Sequence, residues 1–215
     1  AGMMGAAIAY VSAKAGIEVG FEGEQAPDKP QVYDLVLQAV GRTPNGRKIA
    51  AENAGVVVTD RGFIPVDKQQ KTNVPGIYAI GDVTRRPIPV HGGVHHRLES
   101  VPNALEQAKQ AAAAIVGRAG PTPEVPWFWS DQYDLKLQIA GLSQGYDQVV
   151  MRGDPDNGRS FAAFYLKNGQ LIAADCINRP QEFLLAKRII ADKVAVNAHC
   201  LADETLAVKA LLQLA

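Results

Sequence analysis

The 215-residue chain has only two cysteines, no net formal charge and no long apolar run. Each shortage excludes something. A zero balance of 22 basic against 22 acidic residues gives bulk charge no role in recruiting nucleic acid or a membrane surface. No stretch approaches the ~20 apolar residues that a transmembrane helix needs. Cys176 and Cys200 form no C-x-x-C pair and have no metal-ligand spacing, so both are expected as reduced thiols in a cytoplasmic setting. A redox-active disulfide would need paired thiols that the sequence does not hold. Internal repeats and low-complexity tracts are absent as well. No signal peptide is visible. Ala1-Gly2 opens without Met inside a glycine motif, so the natural N-terminus is expected upstream.

What is present is a globular composition, 47% apolar and 20% charged. Residues 1–20 read as a short helix leading to a strand, 21–32 as a loop or a short hairpin and 33–40 as an apolar strand closed by a GRTPNG turn. A short helix near 47–54 and strands at 55–58 and 62–66 follow. Residues 76–80 read as a buried strand that ends at Gly81-Asp82. Ser100 is placed to cap a helix with Pro102 in its first turn. Val101, Ala104, Leu105, Ala108, Ala112 and Ile115 have the spacing of its apolar face, and Gly117 ends it. Residues 117–126 concentrate Gly and Pro and read as a linker. Beyond it the spacing predicts two strands within 127–152 around the Gly141–Gly145 turn. A hairpin of 160–166 and 170–177 follows, joined through Asn168-Gly169. A helix from Pro180 to about Asp192 and a last short helix over 204–213 complete an α+β pattern.

Five features can carry chemistry, and each has a plain alternative. Gly2-Met3-Met4-Gly5 has the form of the end of a dinucleotide fingerprint, with Glu22 or Glu24 where a ribose-binding acid would stand. It reads equally as a glycine-rich helix start. The segment TNVPGIYAIGDV (72–83) puts the Asp82 carboxylate at a strand's C-terminal end, where open α/β sheets bind ligands; the alternative is an ordinary strand stopped by an Asp turn. The helix from Val101 can aim its positive end at a reduced, negatively charged ring, or can simply pack. Trp127, Phe128, Trp129 and Tyr133 form either a ring-stacking or interface cluster or a core anchor. Residues 83–98 carry Arg85, Arg86, Arg97, His91, His95 and His96 with no acid. No carboxylate or thiol stands at ligand spacing from these histidines, so no metal is expected. The stretch is a solvated basic face or a docking patch for an acidic partner.

These motifs resemble known families in three blocks. Residues 1–19 resemble the NAD-binding start of 3-hydroxyacyl-CoA dehydrogenases, and residues 21–82 resemble dihydrolipoamide dehydrogenases. Residues 83–213, with RLESVPNALEQAKQAAAAIVG, PWFWSDQYDLKLQIAGLSQGYD and NRPQEFLLAKRII, resemble the oxygenase-coupled ferredoxin reductases of the rhodocoxin and putidaredoxin reductase type. The second and third blocks join in register at Gly81-Asp82. The resemblance implies an α/β class, a partial glutathione-reductase-like FAD/NAD(P)-binding fold followed by an α+β C-terminal interface domain. Its expected divisions are 1–44 as a remnant of the NAD-binding domain, 45–118 as the C-terminal part of the FAD-binding domain and 119–215 as the interface domain.

The resemblance also implies a flavoprotein oxidoreductase, with FAD as cofactor, NAD(P)H as electron donor and a [2Fe–2S] ferredoxin as partner. A homodimer remains open. Gly81 and Asp82 would meet the ribityl chain. Ser100 and Val101 would present the helix end to the pyrimidine edge, and Trp127 or Trp129 would lie near the flavin or the ferredoxin. Gly2 and Gly5 would meet a dinucleotide, and Arg85, Arg86 and Arg97 would dock the ferredoxin. No catalytic residue is assigned. The departures are the first FAD-binding βαβ unit and most of the NAD domain, which these blocks do not contain. Two rival readings remain, a non-catalytic interaction module without cofactor and a fragment of an NAD-dependent 3-hydroxyacyl-CoA dehydrogenase.

Overall fold

The computed structural model describes residues 43–212, so Gly2, Gly5, Glu22, Glu24 and the elements expected over 1–40 lie outside the described residues. The chain divides into two units, Ala1–Thr43 and Pro44–Ala215, and the second carries all that follows.

Its first part is built from short pieces. Instead of the helix expected over 47–54 there are two 3₁₀ turns, Gly46–Ile49 and Ala51–Ala54. Ala50 between them is left-handed at φ 54°, which breaks the hydrogen-bond run. The segment 55–58 is no strand either. The Val57 N–H donates to Asn73 Oδ1 at 2.8 Å and Asn73 Nδ2 donates to the Gly55 carbonyl at 2.8 Å, so side-chain bonds replace a ladder. Strand β1 (Ile64–Pro65) pairs in parallel with β2 (Thr84–Pro87), and β2 pairs antiparallel with β3 (His95–His96). Val56, Ile64 and Val66 form a small core beneath Val74, Ile77, Ala79 and Val83.

The buried strand expected over 76–80 is a correction. The segment makes only an isolated bridge, Lys71 to Tyr78, and Ile80 is 44% exposed. Its amides turn back locally, Ile77 N–H to the Val74 carbonyl and Ala79 N–H to the Gln70 carbonyl. No neighbouring strand among the described residues supplies a ladder.

Helix α1 (Val101–Ile115) starts as expected, with Ser100 Oγ accepting the Asn103 N–H. Its orientation is not as expected. Val101, Leu105 and Ile115 are each more than half exposed, while Asn103, Gln107, Gln110 and Ala111 are buried. Three buried amides can fill an interior only when each finds partners. Asn103 Nδ2 donates to the Leu98 carbonyl, Gln107 bridges to Gly81 and Thr84, and Gln110 Nε2 donates to the Pro121 carbonyl at 2.6 Å.

After the extended stretch at 117–126 comes a five-stranded antiparallel sheet in the order β4-β5-β8-β7-β6. The strands are β4 (Trp127–Gln132), β5 (Leu135–Gly141), β6 (Gln148–Arg152), β7 (Phe161–Lys167) and β8 (Gln170–Ile177). Residues 127–152 thus hold three strands rather than two. The missed turn is Tyr133-Asp134, where Tyr133 takes φ 57° without a glycine to announce it. The β7–β8 turn follows expectation, with Asn168 and Gly169 at φ 51° and 75°. Gly141 is required where it stands, because a Cβ there would sit 2.0 Å from the Ile172 carbonyl oxygen.

Helix α2 (Pro180–Asp192) covers one face of the sheet. Phe183, Ala186, Ile189 and Ile190 meet Ala162, Phe164, Leu166, Ala174 and Cys176, and each large apolar side chain buried this way contributes about 1.5–3 kcal/mol. Helix α3 (Ala198–Ala202), unanticipated in sequence, is capped by Asn197 Oδ1. A 3₁₀ turn at Val208–Leu212 stands where a helix was expected. No helix among the described residues is long and apolar enough to cross a membrane.

Candidate functional site

Gly81 opens a tight turn at φ 79°, and among the described residues nothing lies within 4 Å of where its Cβ would be. The turn is tied to α1 by one side chain. The Gly81 N–H donates to Gln107 Oε1, and Gln107 Nε2 donates to Thr84 Oγ1 at 2.8 Å. The Thr84 hydroxyl in turn donates to the Gly81 carbonyl at 2.8 Å. Gln107 is wholly buried and Thr84 nearly so. Asp82 follows on the outside of the turn, exposed. Its carbonyl accepts from Arg97 Nε at 3.0 Å, while its carboxylate meets no hydrogen-bond donor among the described residues. The arrangement is a fixed backbone corner that offers a carboxylate outward.

The N-terminal end of α1 belongs to the same region. Pro102 has no N–H to satisfy and the Asn103 N–H is taken by Ser100, so the first turn is closed. Val101 stands exposed at the positive end of the helix dipole. Asn103 and Glu106 are fixed from below by Arg86, whose Nε donates to Asn103 Oδ1 at 3.1 Å. Its two terminal nitrogens reach both Glu106 oxygens at 3.2 and 2.9 Å.

That contact corrects the assignment of Arg86 to docking. Strand alternation in β2 turns Arg86 inward to 5% exposure while Arg85 faces out, and the acid that balances it arrives twenty positions later, on α1. Arg97 is held too. It pairs with Glu99 at 2.6 Å and lies over the Phe63 ring at 5.0 Å. Arg85 is exposed, with Nε donating to the His95 carbonyl at 3.2 Å.

Trp127 and Trp129 share one face of β4, their rings 5.5 Å apart. Trp127 also packs on Phe183 at 5.7 Å and lies beneath the Lys187 ammonium at 5.1 Å, which makes it an anchor between the sheet and α2. Trp129 is 39% exposed. A cleft of about 190 Å³ runs between Pro102, Asn103 and Glu106 of α1 and Trp127 of β4. The structure thus connects Gly81 to α1 through Gln107, and α1 to Trp127 through the cleft.

His91 and His96 stack edge to face at 6.3 Å. Burial, then the neighbouring His96, hold the His91 imidazole below its ordinary value; burial, Arg85 and His95 do the same for His96. Among the described residues no group of three His, Cys, Asp or Glu could hold a metal ion. Sequence reasoning missed Gln107 altogether. The signal was the spacing of Asn103, Gln107 and Gln110, a stripe of amides along an otherwise alanine-rich helix. It also missed Tyr165, whose hydroxyl donates to Asp175 at 2.8 Å on the sheet face away from α2, where burial raises both groups.

Comparison with known proteins gives this geometry a setting. Residues 3–108 match the family model for pyridine nucleotide-disulphide oxidoreductases, and residues 127–212 match the reductase C-terminal model. The chain is 46% identical over 179 residues to a probable ferredoxin reductase, CtmF, of Castellaniella defragrans, covering 83% of this chain and 42% of that protein. It is 40% identical over 185 residues to putidaredoxin reductase CamA of Pseudomonas putida, covering 83% of this chain and 41% of that protein. The crystal structure of the covalent putidaredoxin reductase–putidaredoxin complex superposes with a TM-score of 0.79 at 33% identity, over 98% of this chain and 53% of that one. The chain therefore spans about two fifths of the length of these curated relatives. With one match on each side of the 117–126 stretch, the chain is similar to the pyridine nucleotide-disulphide oxidoreductases in its first half and to the reductase C-terminal domain in its second, the two together being what it has in common with the ferredoxin reductases named above.

Proposed function

We propose that this chain forms the ring-side half of a flavin site and the partner-facing domain of an NAD(P)H-oxidising ferredoxin reductase. The observation that carries the reading is the Gly81-Asp82 corner, fixed by Gln107 to the second turn of α1. The residues fit FAD. The space over Gly81 is open, the exposed Asp82 carboxylate is free to accept from sugar hydroxyls, and the α1 end favours an electron-rich ring edge. Bound FAD would supply the exchange between two-electron hydride transfer and single-electron transfer. The chain's own residues would orient the cofactor: Gly81 by close backbone approach, Asp82 by accepting hydrogen bonds, and Val101 by presenting the helix end. Trp129, exposed on β4, would stand toward the ring or the partner.

The partner in this reading is an acidic [2Fe–2S] ferredoxin; the relatives' names point to a ferredoxin and to putidaredoxin for those proteins. A cytoplasmic setting is part of the proposal. It is supported by two free thiols, of which Cys176 is fully buried and raised to about 12 by that burial. The test is titration of the purified chain with FAD, followed by NAD(P)H-dependent reduction of a [2Fe–2S] ferredoxin. Quenching of flavin fluorescence with a shifted visible spectrum supports the reading. No flavin binding at micromolar protein overturns it.

A further inference from the structure

Gln107 does not touch the exposed face of the Gly81-Asp82 corner, yet it is the side chain through which that corner is joined to α1. We infer that Gln107 and Thr84 are positioning residues for the flavin site, acting through Gly81. The inference rests on the flavin reading and adds to it the device that sets the geometry.

Three hydrogen bonds form a closed ring. Gln107 Oε1 accepts the Gly81 N–H, Gln107 Nε2 donates to Thr84 Oγ1 at 2.8 Å, and the Thr84 hydroxyl donates to the Gly81 carbonyl at 2.8 Å. Gln107 accepts through Oε1 and donates through Nε2, and the Thr84 hydroxyl accepts on one side and donates on the other, so the ring has a single sense. The amide face of Gln107 is set by the donor at Gly81, and the hydroxyl proton of Thr84 is committed to the Gly81 oxygen because its acceptor side is taken. Both side chains are buried, at 0% and 2% exposure, where an amide or hydroxyl is kept only if paired. The peptide flanking Gly81 is therefore held at both its N–H and its C=O. Asp82 is the next residue, and its carbonyl is fixed by Arg97. The direction in which the Asp82 carboxylate leaves the corner follows from these bonds.

The same ring fixes a second quantity. Gln107 lies on the helix whose N-terminal end includes Val101. A rigid helix transmits the position of residue 107 to residue 101, so this amide, together with the Arg86 contacts to Asn103 and Glu106, sets the spacing between Asp82 and the helix end. Two elements that would meet different parts of one cofactor are thereby held in register before it binds, which lowers the cost of ordering them.

The test uses Thr84→Val, which removes the hydroxyl at nearly constant volume, Thr84→Ser, which keeps it, and Gln107→Leu. The measurements are FAD affinity by fluorescence quenching, the visible spectrum of bound flavin and the melting temperature of the flavin-free chain. The expected result is a loss of FAD affinity of about tenfold or more in Thr84→Val and Gln107→Leu, with a displaced flavin spectrum and recovery in Thr84→Ser. Should Gln107→Leu fail to fold, the Val and Ser pair at position 84 decides alone. Unchanged affinity and spectrum in Thr84→Val overturn the inference while leaving the flavin reading in place. So does a loss that Thr84→Ser does not recover. A wild-type chain that binds no FAD overturns both.

Discussion

Arg86 and Glu106 form a bidentate ion pair at 2.9 and 3.2 Å, their side chains 6% and 12% exposed. One belongs to a strand in a run of basic residues and the other to α1, so the pair fastens the helix to the β1–β3 sheet. Asn103 completes it by accepting from Arg86 Nε at 3.1 Å.

Breaking this pair from one side should be costly. Arg86→Met strands a buried carboxylate, and the expected loss of stability is about 3–5 kcal/mol. Adding Glu106→Leu should return much of that loss, because the stranded charge is gone. Urea denaturation of the wild type, both single variants and the double variant gives the coupling directly. A single variant within 1 kcal/mol of wild type would show that the pair does not hold the helix.

The pair also explains what was legible in the sequence. Local signals were read correctly where chemistry is local. The Ser100 cap, the Asn168-Gly169 hairpin and the span of α2 from Pro180 to Asp192 all depend on neighbours a few positions away. Expectations failed where the deciding partner is distant. A run of arginines and histidines without acid reads as a surface, yet Glu106 turns Arg86 into an interior residue. The apolar spacing of Val101, Leu105 and Ile115 names a buried face for α1, yet the amides at 103, 107 and 110 take the interior because Arg86, Gly81, Thr84 and Pro121 satisfy them. Gly81-Asp82 was legible as the end of an element, though that element is not the strand expected. The residue that holds it, 26 positions away, was not.

A second long-range cation supports the C-terminal segment. Arg152 on β6 pairs with buried Glu182 at 3.3 Å and donates to the carbonyls of Leu201, Asp203 and Leu206. Arg152→Met should therefore loosen residues 198–212 before the sheet. Limited proteolysis is expected to cleave in that segment at least several-fold faster than in wild type, since local opening tracks the lost contacts. Arg152→Lys should recover little, because an ammonium cannot reach the same set of acceptors as a planar fork.

The paired histidines predict an acid-side loss of stability. Both His91 and His96 have folded-state values below the ordinary 6.5, so the unfolded chain binds more protons than the folded one. The contribution is complete above about pH 6.5 and is lost as pH falls below it toward the lowered folded values. His95, Arg85 and, on α2's C-terminal side, Lys193 face the same turn, and none offers a compensating negative charge. Unfolding midpoints measured from pH 7.5 to 5 should drop in wild type and drop less in His91→Gln/His96→Gln. Equal slopes in the two proteins would assign the acid sensitivity to other groups.

With Arg86 removed from the docking set and Arg97 engaged by Glu99, Phe63 and the Asp82 carbonyl, Arg85 carries the charge argument for partner docking. Its guanidinium is exposed, and beyond its hydrogen bond to the His95 carbonyl it meets no acid among the described residues. In the proposed reductase, an acidic ferredoxin would feel this charge over a distance limited by salt, about 10 Å at 0.1 M. Arg85→Glu should slow ferredoxin reduction by about tenfold at low salt, with the difference from wild type shrinking as salt rises. Reduction of a small uncharged acceptor should be unaffected, because that step needs no docking. The variant's melting temperature should match wild type, since an exposed side chain with one backbone contact contributes little to stability. A salt dependence identical to wild type would place the docking surface away from β2.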